Sequence, residues 1–262
     1  MDSAEANRRF YETVAAEYDE KEVAVANPRA RALLEGALRQ ALALAPGGAV
    51  LDACGGSGNA SEMLVRMGAE PVLVDVSPEM IELWRAKARR AGIEPEVVQA
   101  EIVDFLRDDS RTWDVVVFSS ALHHLENYEQ AVEAAADRIT PGGVLVTVFD
   151  PPLAEPGDRF IRRVDWVLFQ ALHEPRDFLE TVRARLRRSS QGEPPVGRLA
   201  ERYALDGVDD LELRRLLETR GFEIVLHERT PEARMLATRA LLRLAGRDGA
   251  FRLIARRRPE AV

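Results

Sequence analysis

From residue 49 onward the chain alternates short, continuous apolar runs with longer amphipathic stretches. The runs read AVLDA (49–53), PVLVD (71–75), PEVVQA (95–100), WDVVVFS (113–119) and GVLVTVFD (143–150). Valine-rich runs without polar alternation predict parallel strands buried on both faces. Between them, apolar positions recurring every three to four residues predict helices over 58–67, 78–91 and 127–139, with a short one near 103–107. Strand and helix in strict alternation predict an α/β fold built on a doubly wound sheet.

Both ends depart from this rhythm. Phe10, Tyr11, Val14, Ala15 and Tyr18 stand at helical spacing within 5–20, and a second amphipathic helix runs over 29–43 until Pro46-Gly47-Gly48 stops it. After Asp150 the segment PPLAEPGD breaks the chain, a helical stretch over 159–188 follows, and SSQGEPPVG ends that in turn. A helix over 209–220 then leads to GFEIVLHERT (221–230) and FRLIARRR (251–258), a predicted antiparallel pair that brings the strands to seven.

At 262 residues the chain is long enough for one large α/β domain with an inserted cap. Cys54 is the only cysteine, so no disulfide forms within the chain. MDSAEANRRFY has no apolar signal core and no apolar run is long enough to cross a bilayer, so a cytoplasmic protein without a membrane is expected. The net charge of −8 opposes attraction to nucleic-acid phosphates. The acidic excess lies in the first 155 residues, whereas residues 156–262 are net basic through arginine alone. The histidines are His123, His124, His173 and His227, without HExxH or Cys-His spacing, so no metal ligand set is predicted, although an oxygen-ligated magnesium site stays open.

The segment VLDACGGSGNAS (50–61) carries the chemistry. Asp52 precedes Gly55, Gly56 and Gly58 at a strand end, and Asp75 closes the next strand. Strand carboxyl ends at the switch point of such a sheet are where ligands bind, and glycines let backbone come close. A dinucleotide would require G-x-G-x-x-G at a helix start, but the chain reads G-x-G-x-x-S and adds the negative Asp52 where phosphates would lie. An ammonium and a sulfonium suit that charge, which favours S-adenosyl-L-methionine.

With these residues the chain resembles the class I S-adenosylmethionine-dependent methyltransferases, in particular the group with the ubiquinone and menaquinone biosynthesis enzymes. The resemblance covers most of 10–150 and, more loosely, 209–258. Family loops read L-D-x-G-x-G-x-G; Leu51, Asp52, Gly56 and Gly58 match, while Cys54 replaces the first glycine and should adopt a φ open to a residue with a Cβ. The resemblance implies a mostly parallel, seven-stranded Rossmann-like sheet: a helical lid over 1–45, a cofactor-binding core over 46–150, a helical cap over the active site at 151–205, and the rest of the core at 206–262.

It implies further that Asp75 accepts hydrogen bonds from both ribose hydroxyls, that Val76 flanks the adenine, and that Glu101 receives the adenine amino group while the Ile102 amide reaches the ring. Asp104 is the alternative acid, and each of these acids could instead cap a helix. Ser119 would lie near the methionine end, and Tyr11 on the opening helix would contact cofactor or substrate, although an aromatic residue at helical spacing is more often core. His123 and His124, in FSSALHHLENYEQA (118–131), are candidate general bases, His124 ahead of His123, and one of the two could equally hold the loop by a hydrogen bond. Asp150 is placed to face the acceptor unless FDPP is only a turn, and Phe160, Trp166, Phe169 and Phe178 either line a substrate pocket with Arg162, Arg163 and His173 as polar points or, for the most part, form the packing seam between cap and core. The expected activity is methyl transfer to an O, N or C atom of a small molecule, with subunit number open and a homo-oligomer included. A non-methylating binder of the cofactor and a nucleotide-dependent oxidoreductase are the alternatives.

Overall fold

The computed structural model describes residues 8, 27–155, 157–173, 206–233 and 235–259, with the side chains of 166, 170 and 173 left aside. Seven strands form one sheet: β1 Ala49–Ala53, β2 Glu70–Asp75, β3 Glu96–Gln99, β4 Trp113–Ser119, β5 Ile139–Asp150, β6 Phe222–Thr230 and β7 Ala250–Arg257. Their order is β3-β2-β1-β4-β5-β7-β6, with β7 antiparallel to both neighbours and the other pairings parallel. The chain runs outward from β1 to β3 on one side and from β4 to β5 on the other. The switch point therefore lies between β1 and β4, beside the glycine loop.

The helices are α1 Pro28–Leu44, α2 Asn59–Arg66, α3 Pro78–Arg90, α4 Ile102–Asp108, α5 Tyr128–Arg138, α6 Asp158–His173, α7 Asp210–Thr219 and α8 Leu236–Leu244. Each predicted helix between strands is present within one or two residues; α8 had no counterpart in the sequence reading. Helix α1 opens on Asn27, whose side chain accepts from the Arg29 amide at 2.9 Å, with Pro28 in the first turn. Its Leu34, Ala37, Leu38 and Ala41 recur at helical spacing and pack with Val115, Val117, Val144 and Val146 on one face of the sheet. The described part of residues 1–45 is thus layered on the sheet, and residues 1–7 and 9–26 lie outside the description. Helices α4, α5 and α7 cover the opposite face around Val116, Phe118, Leu145 and Leu253.

Strand β5 contains an irregularity that matters for the site. Val148 pairs with Arg252 and Asp150 with Phe251, so Phe149 is an extra residue, and its φ is 70°. Strict alternation would put Thr147 and Asp150 on opposite faces. The bulge returns Asp150 to the face of Thr147, and the two are hydrogen-bonded at 2.7 Å.

Helix α7 is held to β6 by a buried carboxylate. Asp210 accepts from His227 Nε2 at 2.7 Å, from Arg229 Nε at 2.8 Å and from Arg229 Nη2 at 2.6 Å. Burial pushes the Asp210 carboxyl up, but the Arg229 and His227 bonds outweigh it and hold it below its ordinary 3.8. A depressed carboxyl contributes stability above its unfolded pKa and loses it as pH falls through the folded one. Asp210→Ala is expected to lower unfolding free energy by about 2 kcal/mol at pH 7. In urea unfolding, its gap to the parent protein should narrow on acidification below the ordinary carboxyl range.

Candidate functional site

Strand β1 delivers Asp52 fully buried to the start of the glycine loop. One carboxylate oxygen, Oδ2, accepts from the Ser61 amide at 3.0 Å and from the Ser61 hydroxyl at 2.6 Å. Ser61 lies in the first turn of α2, so the strand acid satisfies donors that a helix start leaves open. The serine that breaks the dinucleotide fingerprint is the partner Asp52 needs. The other oxygen, Oδ1, is buried with no hydrogen-bond partner. Burial raises the Asp52 carboxyl to about 6, against the Ser61 bonds and with a smaller push from Asp75.

Asp75, at the end of β2, ties the same loop from the other side. Its Oδ2 accepts from the Gly56 amide at 2.9 Å and its Oδ1 from the Ser77 amide at 2.8 Å. Gly55 adds an amide bond to the Val74 carbonyl at 3.1 Å. Burial raises the Asp75 carboxyl, and the Ser77, Gly56 and Val76 amides counter it. At Gly58, with φ 78°, a Cβ would lie 2.4 Å from the Trp84 ring, so the helix α3 tryptophan closes under the loop as only glycine allows.

Cys54 differs from expectation in its backbone. Its φ of 56° lies in the left-handed region, where a residue with a Cβ carries a strain of about 1–2 kcal/mol. Burial pushes its thiol well above the usual range, and Asp75, Glu101, Asp52 and Asp150 push it further. The acids that act on it stand at or just after the ends of β1, β2, β3 and β5.

Glu101 caps α4: its Oε2 accepts from the Val103 amide at 2.8 Å and the Asp104 amide at 3.0 Å. The capping role weighed for it is thus present, and Oε1 has no hydrogen bond among the described residues. Asp104 is exposed, Ile102 is buried, and Val76 is half-buried with its carbonyl facing the Gln99 amide group at 3.5 Å. Ser119 is half-buried at the end of β4. Tyr11, Tyr18 and Phe178 lie outside the described residues. Phe160 is 71% exposed.

The histidine pair occupies a 3₁₀ turn, Leu122–His124. His123 is buried, and its Nδ1 lies 2.7 Å from Asp150 Oδ1, which also accepts from the His123 amide at 3.1 Å. His124, placed ahead of it on sequence, is half-buried with its ring centroid 4.0 Å from that of His123. The sequence placed Asp150 at the acceptor side but carried no sign of this contact, and Thr147 was missed altogether. Both depend on the β5 bulge. Among the described residues no group of three or more histidine, cysteine or acidic side chains is placed to hold a metal ion, and no helix is long and apolar enough to cross a membrane.

Residues 50–143 match the methyltransferase domain family. A ubiquinone biosynthesis O-methyltransferase of Xanthomonas axonopodis pv. citri (strain 306) is 28% identical over 144 residues, 52% of this chain and 59% of that protein. The corresponding enzyme of Xylella fastidiosa (strain 9a5c) is 30% identical over 139 residues, 51% of this chain and 55% of the relative. The chain thus matches little more than half the length of these curated relatives. Magnesium protoporphyrin IX methyltransferase from Synechocystis PCC 6803, solved with bound S-adenosylhomocysteine, superposes with a TM-score of 0.61 at 15% identity, covering 98% of this chain and 100% of that one. The (4+2)-cyclase SpnF superposes with a TM-score of 0.67 at 14% identity, covering 98% and 97%. At such identities the two structures show the shared fold alone.

The strain at Cys54 has a measurable consequence. Cys54→Gly removes the left-handed penalty while the greater freedom of glycine in the unfolded chain offsets part of the gain, so unfolding in urea should show a net stabilisation of about 0.5–1 kcal/mol.

Proposed function

We propose that this chain, whose residues 50–143 match the methyltransferase domain family, works as a class I S-adenosylmethionine-dependent methyltransferase that binds S-adenosyl-L-methionine at the glycine loop and methylates a small-molecule acceptor. The observation that carries this reading is Asp52 Oδ1, a buried acceptor without a donor, with the Asp75 carboxylate acting on it from the next strand. Buried polar atoms are normally satisfied, and a cationic donor is the partner that this charge distribution favours. The residues therefore fit the methionine ammonium, held by Asp52 directly or through one ordered water. Asp75 can accept ribose hydroxyls while keeping its backbone amides, since each carboxylate oxygen has a second lone pair. Glu101 has Oε1 to offer the adenine amino group.

When bound, the sulfonium supplies an electrophilic methyl on a good leaving group. The protein's own contribution is alignment and exclusion of water, worth roughly 7–11 kcal/mol for well-oriented reactants. The acceptor atom is an oxygen, nitrogen or carbon of the small molecule, on the side of the loop where His123 and Asp150 stand.

The raised carboxyl of Asp52 gives the reading a pH signature. Between its ordinary 3.8 and about 6 the folded protein holds a proton that the unfolded chain has released. This group's contribution to the stability of the free protein therefore rises as pH falls through that window. A cationic ligand reverses the preference, because it needs the carboxylate. Titration calorimetry with S-adenosylmethionine should show proton release on binding near pH 6 and about tenfold weaker affinity at pH 5 than at pH 7.5. Asp52→Asn should weaken binding at least tenfold at pH 7.5 and abolish most of that pH dependence. No heat of binding with either S-adenosylmethionine or S-adenosylhomocysteine would sink the assignment. Once binding is established, the acceptor can be sought by screening metabolites for a mass gain of one methyl.

A further inference from the structure

Helices α6 and α8 both stand at the carboxyl edge of the sheet, α6 after the end of β5 and α8 between the end of β6 and the start of β7. A surface helix in water buries an apolar stripe and exposes its polar side, and these two do the reverse. On α6 the acids Asp158 and Asp165 are buried, while Phe160, Val164, Leu168 and Leu172 recur every fourth residue along the exposed side. On α8 Thr238 and Arg239 are buried with Leu242, and the exposed positions are Leu236, Ala237, Ala240, Leu241, Arg243 and Leu244. The large apolar side chains of the two faces are 37–87% exposed.

Polar anchors hold the helices this way round. Asp158 accepts from the Glu155 amide at 2.9 Å and is paired with Arg247, just beyond α8. Asp165 Oδ1 accepts from the Met235 amide at 3.1 Å, which ties α6 to the start of α8. Arg239 Nη2 lies 2.9 Å from Glu232 Oε2. Rolling either helix to hide its leucines would strip these buried charges of their partners, a strongly unfavourable exchange. Apolar faces kept in water on neighbouring helices mark a binding surface.

The charge around this surface selects its occupant. The exposed charged residues of the two helices are Arg159, Arg163 and Arg243; neither helix exposes an acid, although the exposed Glu155 lies just before α6. Arg159 meets Asp206 at 2.8 Å, whereas Arg163 and Arg243 make no ion pair among the described residues. Residues 156–262 are net basic in a chain of net charge −8, so the positive side is concentrated here. A two-fold contact between copies would set these arginines against themselves. Apart from arginine, the described exposed residues of α6 and α8 carry no hydrogen-bonding side chain that would specify a protein partner. An anionic bilayer meets both features at once, since its headgroups attract arginine and its acyl boundary takes up leucine and phenylalanine.

We propose that α6 and α8 form a docking face for an anionic lipid surface, on which the protein lies without crossing it. Docking sets the carboxyl edge of the sheet, with the glycine loop, on the bilayer side. The acidic first part of the chain is repelled by the same surface, so the charge asymmetry orients the molecule. This inference stands independently of the methyl-transfer reading.

The test is sedimentation of the full chain with unilamellar vesicles, one set of phosphatidylcholine alone and one of phosphatidylcholine and phosphatidylglycerol in equal parts. The parent protein is expected to pellet with the anionic set, to bind phosphatidylcholine alone about tenfold more weakly, and to be partly released by salt. Leu236→Asp combined with Leu244→Asp should lower partitioning about tenfold or more. Its urea midpoint should stay that of the parent protein, because both leucines are exposed. Arg163→Glu combined with Arg243→Glu should lower binding to the anionic set about tenfold and leave binding to phosphatidylcholine unchanged. Failure of the parent protein to pellet with the anionic set overturns the proposal, and so does vesicle binding that both double variants leave intact. A parent dimer in sedimentation equilibrium that dissociates in Leu236→Asp with Leu244→Asp, without vesicle binding, assigns the face to a second copy and overturns it. Retention on immobilised polyglutamate without retention on vesicles assigns the face to an acidic protein and overturns it equally.

Discussion

A carboxylate withdrawn from water has to be met by donors, and that requirement organises the centre of this molecule. Asp52 and Asp75 end adjacent parallel strands, and each draws the intervening loop onto itself: Asp52 through the amide and hydroxyl of Ser61, Asp75 through the amides of Gly56 and Ser77. The loop is therefore shaped by the acids it borders. Its left-handed turns at Cys54, Gly56 and Gly58, and the tryptophan under Gly58, follow from pulling backbone amides toward side chains from both sides. Helix α2 starts where the Asp52 bonds to Ser61 allow it.

The same acids can serve structure and the proposed ligand without contradiction. A capped amide uses one lone pair of a carboxylate oxygen, and a hydroxyl or ammonium can use another. What separates Asp52 is its remaining oxygen, buried and unanswered. Burial makes a charge there costly and raises its pKa, and a cation would relieve that cost, so under the proposed function electrostatic preparation and preference for a positive ligand would arise from one feature.

On the side proposed for the acceptor the organising device is a backbone irregularity. The fold alone says little about the reaction, since the same architecture is found in a porphyrin methyltransferase and in a cyclase. The extra residue in β5 moves one carboxylate from the valine-packed face to the face carrying the histidine turn, and that single change of side creates the pair His123–Asp150. Strain at Phe149 is the local consequence, with the aromatic ring packed among valines of the other face.

The central strands were written plainly in the chain, because a strand buried on both faces is apolar over most of its length and its run differs from the amphipathic helices beside it. Helix starts were equally local, as Asn27-Pro28 and Ser77-Pro78 show. The acids and glycines of the loop were legible too, since their spacing is short and their charge argues for itself. Helix α8 was not, because LATRALLRL sits in what reads as a connection between two strands and its Leu236, Leu241 and Leu244 remain exposed. Nor could residue order alone reveal which histidine meets an acid. His123 and Asp150 are 27 positions apart, and their meeting depends on strand register, on a 3₁₀ turn and on a bulge that reverses a two-residue period. Sequence determined the elements and the charge at their ends through local pattern; tertiary structure decided which faces those side chains share, because register and bulges are set by long-range packing that no local window contains.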